Sequence, residues 1–163
     1  MRDLTGPSQG RAIRELLQGL LVAETLAPSN PLWVLSGWIT DIAVVDTRAG
    51  RFSPVDSEWP LGRVPISAVA LVLRDVEHNR AFLNRLRTVG RSCAARVRAA
   101  LTSEFHEKAL VGADYDRSGS MNFTHRGIEV NDEHLILRTD SQTVAARRLT
   151  LDAHWRARLD VCA

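Results

Sequence analysis

The sequence predicts an α/β protein with a mixed β-sheet flanked by helices. Two near-continuous apolar runs, 32–40 and 66–74, have the composition of strands buried on both faces. Apolar residues at helical spacing lie before, between and after such runs. Strand and helix signals alternate along the chain, which indicates the α/β class with a mixed sheet. At 163 residues, 45% apolar and 25% charged, the chain is expected to form a single domain over 1–163 with a substantial core.

The elements follow in order. Residues 1–10, with Gly6, Pro7 and Gly10, read as a loose lead-in. Residues 11–27 read as an amphipathic helix, because Ile13, Leu16, Leu17, Leu20 and Leu21 form one stripe, and Pro28 and Pro31 end it. In the run 32–40, Ser36 and Gly37 interrupt the apolar residues near the C-terminal end. Ligands of open α/β sheets sit off such ends, so Ser36 is either a rim residue or a small residue kept for packing clearance. The stretch 41–64 holds Gly50, Pro54, Pro60 and Gly62 and reads as a long loop. It carries Arg48, Arg51, Trp59 and Arg63, a set suited to a substrate, to a second subunit or to solvent. After the strand at 66–74, His78 and Asn79 mark a strand-to-helix turn. A helix at 80–87 follows with Phe82, Leu83 and Leu86 inward. Strands are expected at 96–101, 105–111 and 134–139, with a short extended piece at 118–123. Asp140-Ser141 opens a last helix with Val144, Leu151 and Trp155 on one side.

The chemistry concentrates in one stretch. His106 and Lys108 are two residues apart, so in extended backbone they share a face while Glu107 points away. Gly119, Ser120, Met121 and Asn122 follow. A hairpin between these segments gathers an imidazole, an ammonium, a hydroxyl and an amide around one point. That set suits a phosphate, with Lys108 as point charge, Ser120 and Asn122 as hydrogen-bond donors, and His106 as nucleophile or proton carrier. Composition supports the motif independently: of the 21 basic residues, Lys108 is the one Lys and the other 20 are Arg. The chain thus places its one compact ammonium where a forked guanidinium would not substitute.

Composition also narrows the function classes. A net charge of +2 gives no overwhelming basic footprint for nucleic acid. Cys93 and Cys162 match no metal-ligand spacing and read as reduced structural thiols. No His, Cys or carboxylate cluster has ligand spacing, so no metal or other cofactor is expected. Residues 1–14 lack an apolar signal core, and no run approaches the roughly 20 apolar residues of a membrane span. A cytoplasmic protein without integral membrane association is therefore expected.

The motif His106, Lys108, Gly119, Ser120, Asn122 resembles the HxK…GSxN signature of the phospholipase D superfamily. The likeness is strong over the C-terminal half and loose over the N-terminal half. It departs where the family has an Asp five residues after the Lys: Ala113 stands there, with Asp114 and Asp116 nearby, and the Gly-Ser pair arrives one residue early. The resemblance implies the phospholipase D-like fold and a metal-independent phosphodiesterase. It also implies an acidic partner for the imidazole, assigned to Glu133, with Glu129 and Asp132 as alternatives. Strand-to-helix turns border the cleft in that fold, which makes His78 and Asn79 second-tier candidates.

The family's chemistry uses two motifs, whereas this chain carries one, so the resemblance implies a homodimer with two His106 side chains converging on one phosphorus. Short single-motif members resemble bacterial endonucleases, some of them in defence gene clusters, which makes DNA the expected substrate and a larger defence complex a conceivable setting. Arg51, Arg117 and Arg126 are the expected DNA-steering residues. A phospholipase-type activity and a catalytically idle nucleic-acid-binding component are the alternatives.

Overall fold

The computed structural model describes residues 2–4, 10–40, 68–89, 97–129 and 133–161. Eight strands form one sheet: β1 (Arg2–Leu4), β2 (Leu32–Ser36), β3 (Val69–Arg74), β4 (Val97–Thr102), β5 (Ala109–Val111), β6 (Asp116–Gly119), β7 (Leu135–Arg138) and β8 (Asp160–Val161), in the order β1-β7-β6-β5-β2-β3-β4-β8. Strands β2, β3 and β4 are mutually parallel. All other pairings are antiparallel. The mixed α/β architecture expected from the alternation of elements is the one observed.

Helices α1 (Gly10–Leu26) and α2 (Glu77–Val89) cover one face, and α4 (Ser141–Trp155) covers the other. The predicted stripe of α1 does bury Ile13, Leu17 and Leu21, packed with Val34, Leu71 and Leu110 of the sheet and Phe82 of α2. On the far face Trp33, Leu35, Val72 and Val111 meet Leu151 and Trp155 of α4. Strands β2 and β3 are buried along nearly their whole length, as their continuous apolar runs require. Asp140 caps α4 by accepting from the Thr143 N–H at 2.8 Å, satisfying a donor that the first turn leaves without a helical partner.

Several boundaries differ from expectation. The run 32–40 is strand only to Ser36, where Gly37 breaks it, and Ile39 then bridges to Phe123. His106 and Lys108 precede β5 rather than lying inside it, and the extended piece expected at 118–123 begins and ends earlier, as Asp116–Gly119. Residues 2–4 of the expected lead-in pair with β7 as an edge strand, and three residues are too few to show a period. The long loop with Arg48, Arg51, Trp59 and Arg63 lies outside the described residues, as do Cys93, Cys162 and Asp132.

The β5–β6 turn is fastened from outside. Glu24 of α1, 2% exposed, accepts from the Ser29 N–H and hydroxyl, each at 2.8 Å. The Ser29 hydroxyl in turn accepts from the N–H of Ala113 at 2.6 Å. Burial, with the Glu24 carboxylate next in weight, pushes the Tyr115 phenol well above its ordinary range. Arg148 of α4 closes the same corner, donating to the carbonyls of Pro31 at 3.0 Å, Gly112 at 2.8 Å and Asn30 at 3.0 Å. Glu24→Ala leaves the buried Ser29 N–H without its acceptor. It is expected to lower stability by about 1–3 kcal/mol, read as a lower midpoint in urea unfolding.

Candidate active site

Register brings the motif together. Leu35, Ala109, Ser118 and Ile136 form one row across β2, β5, β6 and β7. One step further along, the chain passes Ser36, Lys108, Gly119 and Leu135, and just beyond lie His106, Ser120, Asn122 and Glu133. All of these therefore collect at one end of the sheet, the end where β2, β3 and β4 have their C-termini.

Four hydrogen bonds close that end. The Gly119 N–H donates to the Lys108 carbonyl at 3.2 Å, and the Ser120 N–H donates to the His134 carbonyl at 2.9 Å. Gly119 is required here, because a Cβ would stand 1.9 Å from the His134 carbonyl oxygen. The Ser120 hydroxyl accepts from the His134 N–H at 2.9 Å and donates to the Glu133 carboxylate at 2.5 Å. The resemblance gave Glu133 the imidazole as partner; the contact described here is with Ser120.

His106 is exposed, and its two neighbours are anchored. Phe105 is buried and packs edge-on against Trp155, with ring centroids 5.7 Å apart. Glu107 forms an ion pair with Arg147 of α4. The Lys108 ammonium donates to the carbonyl of His106.

Asn122 is held against the end of β2. Its Oδ1 accepts from the Trp38 N–H at 3.1 Å and lies 3.4 Å from the Ser36 hydroxyl. Gly37 leaves room for it, since a Cβ there would stand 3.2 Å from Asn122 Oδ1 and 3.3 Å from the Phe105 carbonyl oxygen. The short helix α3 (His125–Glu129) follows, and its Gly127 packs so closely that a Cβ would lie 2.4 Å from the Asn122 carbonyl oxygen.

The second-tier candidates separate clearly. Ser36 is fully buried. Its hydroxyl donates to the Trp38 carbonyl at 2.6 Å and accepts from the Phe123 N–H at 3.2 Å. It is a joint behind the site, not a rim residue. Asn79 is also fully buried. Its amide donates to the carbonyls of Gly37 and Arg74, both at 2.8 Å, and accepts from the Ile39 N–H at 3.1 Å. Neither side chain is free to touch substrate. His78, beside Asn79 in the first turn of α2, is exposed, as is Arg126 on α3. Arg51 lies outside the described residues.

Arg117 corrects an expectation. Taken from the sequence as a DNA-steering residue, it is 0% exposed. Its register partners are Leu110 and Leu137, so strand alternation turns it into the core, where its guanidinium lies 5.0 Å from the centre of the Phe123 ring. None of its three nitrogens has a hydrogen-bond partner. Burial pulls it down to about 9, opposed by the charges of Glu133 and Asp116. Asp116, on the other face, is 4% exposed and is raised by burial, with Arg138 the main opposing charge. The contact to Arg138 is 3.3 Å. Asp114, the other acidic residue near Ala113, is exposed.

Among the described residues, no three His, Cys, Asp or Glu side chains come together as a metal cage would need, and no helix is long and apolar enough to cross a membrane. A cleft of about 350 Å³ lined by Trp33, Val69, Arg98 and Arg156 lies at the opposite end of the parallel strands, away from His106. Trp38 is the feature that sequence reasoning passed over. By sequence it reads as one more apolar residue of a buried run, whereas it is 36% exposed. The Ser36-Gly37 interruption just before it was the available signal.

The architecture and the clustered motif define a phospholipase D-like α/β fold. The particular structures it resembles are NucT from Helicobacter pylori and Nuc from Salmonella typhimurium, a phospholipase D family member. NucT is matched with a TM-score of 0.60 at 15% identity over 93% of this chain and 92% of that one. Nuc is matched with a TM-score of 0.51 at 16% identity over 86% and 85%. TrmBL2, an archaeal chromatin protein whose structure shows a novel mode of DNA binding, is matched with a TM-score of 0.50 at 13% identity. The match takes in 96% of this chain but about half of that one, 51%. No protein-family model matches the sequence, and no curated protein matches it either.

Two predictions follow from these placements. Asn79→Ala strands a buried N–H and two carbonyls and is expected to cost about 1–3 kcal/mol. His78→Ala, one residue away, is expected to stay within about 0.5 kcal/mol in the same urea titration. Arg117→Met removes a buried charge that lacks hydrogen bonds, and is expected to leave stability unchanged or raise it by about 1–4 kcal/mol. The wild-type penalty is complete while Arg117 is charged in the fold. The gap between the two proteins should therefore narrow as pH rises past about 9, which paired titrations at pH 7 and above 9 would measure.

Proposed function

We propose that this protein is a phosphodiesterase, and most specifically a nuclease that cuts DNA at a site shared by two protomers. The observation that carries the reading is the single Lys, Lys108, standing beside His106 at the sheet end where Ser120 and Asn122 also collect, in a phospholipase D-like fold. A ring nitrogen of one His106 attacks phosphorus, and the P–O bond to the leaving group breaks. The counterpart imidazolium in the second protomer gives that oxygen its proton. Water then attacks the phosphohistidine, its proton passing to the same counterpart, and the P–N bond breaks. Lys108 and Asn122 steady charge on the nonbridging oxygens. The step needs no metal, and the protein works without a cofactor. Exposed Arg126, and Arg51 by its charge, are suited to steering the DNA backbone. Membership of a larger defence assembly is compatible with this reading but has no structural feature behind it.

A second reading draws on the likeness to TrmBL2 and on Ala113 standing where the resembled family has Asp: a catalytically idle DNA-binding component. The test is cleavage of plasmid and single-stranded DNA in EDTA. Cleavage is expected, with His106→Ala reducing it on the order of a thousandfold and Lys108→Ala by roughly a hundredfold or more, both remaining dimers by size-exclusion chromatography. Full activity in His106→Ala would remove the proposed site. An inert protein that still shifts DNA would favour the second reading.

A further inference from the structure

The backbone around Trp38 is held by four hydrogen bonds. Its own N–H donates to Asn122 Oδ1 at 3.1 Å, and its carbonyl accepts from the Ser36 hydroxyl at 2.6 Å. On either side, the Gly37 carbonyl accepts from Asn79 at 2.8 Å and the Ile39 N–H donates to Asn79 at 3.1 Å. Three polar side chains on different elements thus hold one short segment. Ser36 and Asn79 are both fully buried, so the segment is not free to rearrange.

What that segment presents is a large aromatic ring that the core does not take in. The Trp38 side chain is 36% exposed, whereas its neighbour Ile39 is fully buried. The Arg74 guanidinium lies over the ring, 5.3 Å from its centre, and is itself turned by a bond to the Ser103 carbonyl at 3.3 Å. An indole backed by a cation and held on an immobile backbone has little conformational entropy to lose when a planar partner lies on it.

The location gives the partner's chemistry. Trp38 is tied directly to Asn122 and stands at the C-terminal ends of β2 and β3, the sheet end that also carries His106. We propose that Trp38 is a stacking platform for an unpaired nucleobase next to the phosphodiester at His106, so that the site prefers nucleic acid with unstacked bases over intact duplex. The inference rests on the phosphodiesterase reading and deepens it. Stacking on an aromatic side chain tolerates any base, because every base has a π-face, whereas a paired base inside a duplex has both faces already covered.

The test is binding, measured apart from turnover. In a His106→Ala background, fluorescence anisotropy would compare a labelled single strand, an abasic strand of the same length and the corresponding duplex, with sedimentation recording the oligomeric state. Trp38→Ala is expected to weaken the single strand by roughly 5- to 150-fold, the loss of one base–aromatic stack, while Trp38→Phe keeps most of the affinity. The abasic strand should bind weakly and be indifferent to either change. Equal single-strand affinity in Trp38→Ala and its parent would overturn the inference and leave the phosphodiesterase reading standing. So would dissociation of the dimer by Trp38→Ala, which would make the ring a subunit contact. A parent protein that neither binds nor cuts any nucleic acid would overturn both.

Discussion

One buried hydroxyl ties the end of the parallel half of this sheet to the segment that follows the antiparallel hairpin. Ser36 ends the parallel half, and Phe123 and Asn122 follow the antiparallel hairpin. The Ser36 hydroxyl accepts from the Phe123 N–H and lies near Asn122 Oδ1 while donating to the Trp38 carbonyl. A hydroxyl has one proton and two lone pairs, and here the proton goes to the nearer acceptor, at 2.6 Å rather than 3.4 Å. An apolar residue would fit the volume but would leave buried backbone groups of both halves without partners, and such groups are costly when unpaired. The position of Asn122 relative to His106 thus depends on a contact made outside the site, between segments 87 residues apart in sequence.

The hairpin itself is held by opposite means on its two faces. Toward α4, Asp116, Ser118 and Arg138 share their charge and hydrogen bonds in one cluster. Toward α1, Arg117 has the Phe123 ring and the more distant charges of Glu133 and Asp116, but no hydrogen bond. A guanidinium in that position is a poor device for stability. The Glu133 carboxylate, one of the charges that oppose its burial, takes the Ser120 hydroxyl. This contrast explains why residues adjacent in sequence behave so differently: alternation sends one into a satisfied polar cluster and the next into the core.

Much of the fold was legible because burial on both faces leaves a plain signature. The runs containing Trp33 to Leu35 and Val69 to Leu73 could hardly be anything but central strands, and the stripe of α1 fixed its buried face. The motif residues stood out for a different reason: the lone Lys is an oddity that composition alone exposes, and the His two residues before it and the Gly-Ser pair complete a spacing that resembles a known signature. What was not legible was direction. Arg117 reads as a surface cation until its register with Leu110 and Leu137 is known. Ser36 and Asn79 read as candidates for substrate contact, although their hydrogen-bond partners, being backbone groups distant in sequence, could not be inferred. Trp38 was hidden by its neighbours, since an exposed ring inside an apolar run looks like the run. Strands of three residues, such as β1, leave too little pattern to detect.

The two side chains that matter most for the proposed chemistry are presented by the same physical device. His106 is exposed between Phe105, buried against Trp155, and Glu107, paired with Arg147 of α4. Trp38 is exposed between Gly37 and Ile39, both tied to Asn79. In each case the presented group stands in solvent between neighbours that are buried or tied by hydrogen bonds or an ion pair. Placing such groups on anchored strand ends rather than on long loops lowers the ordering cost of engaging a ligand.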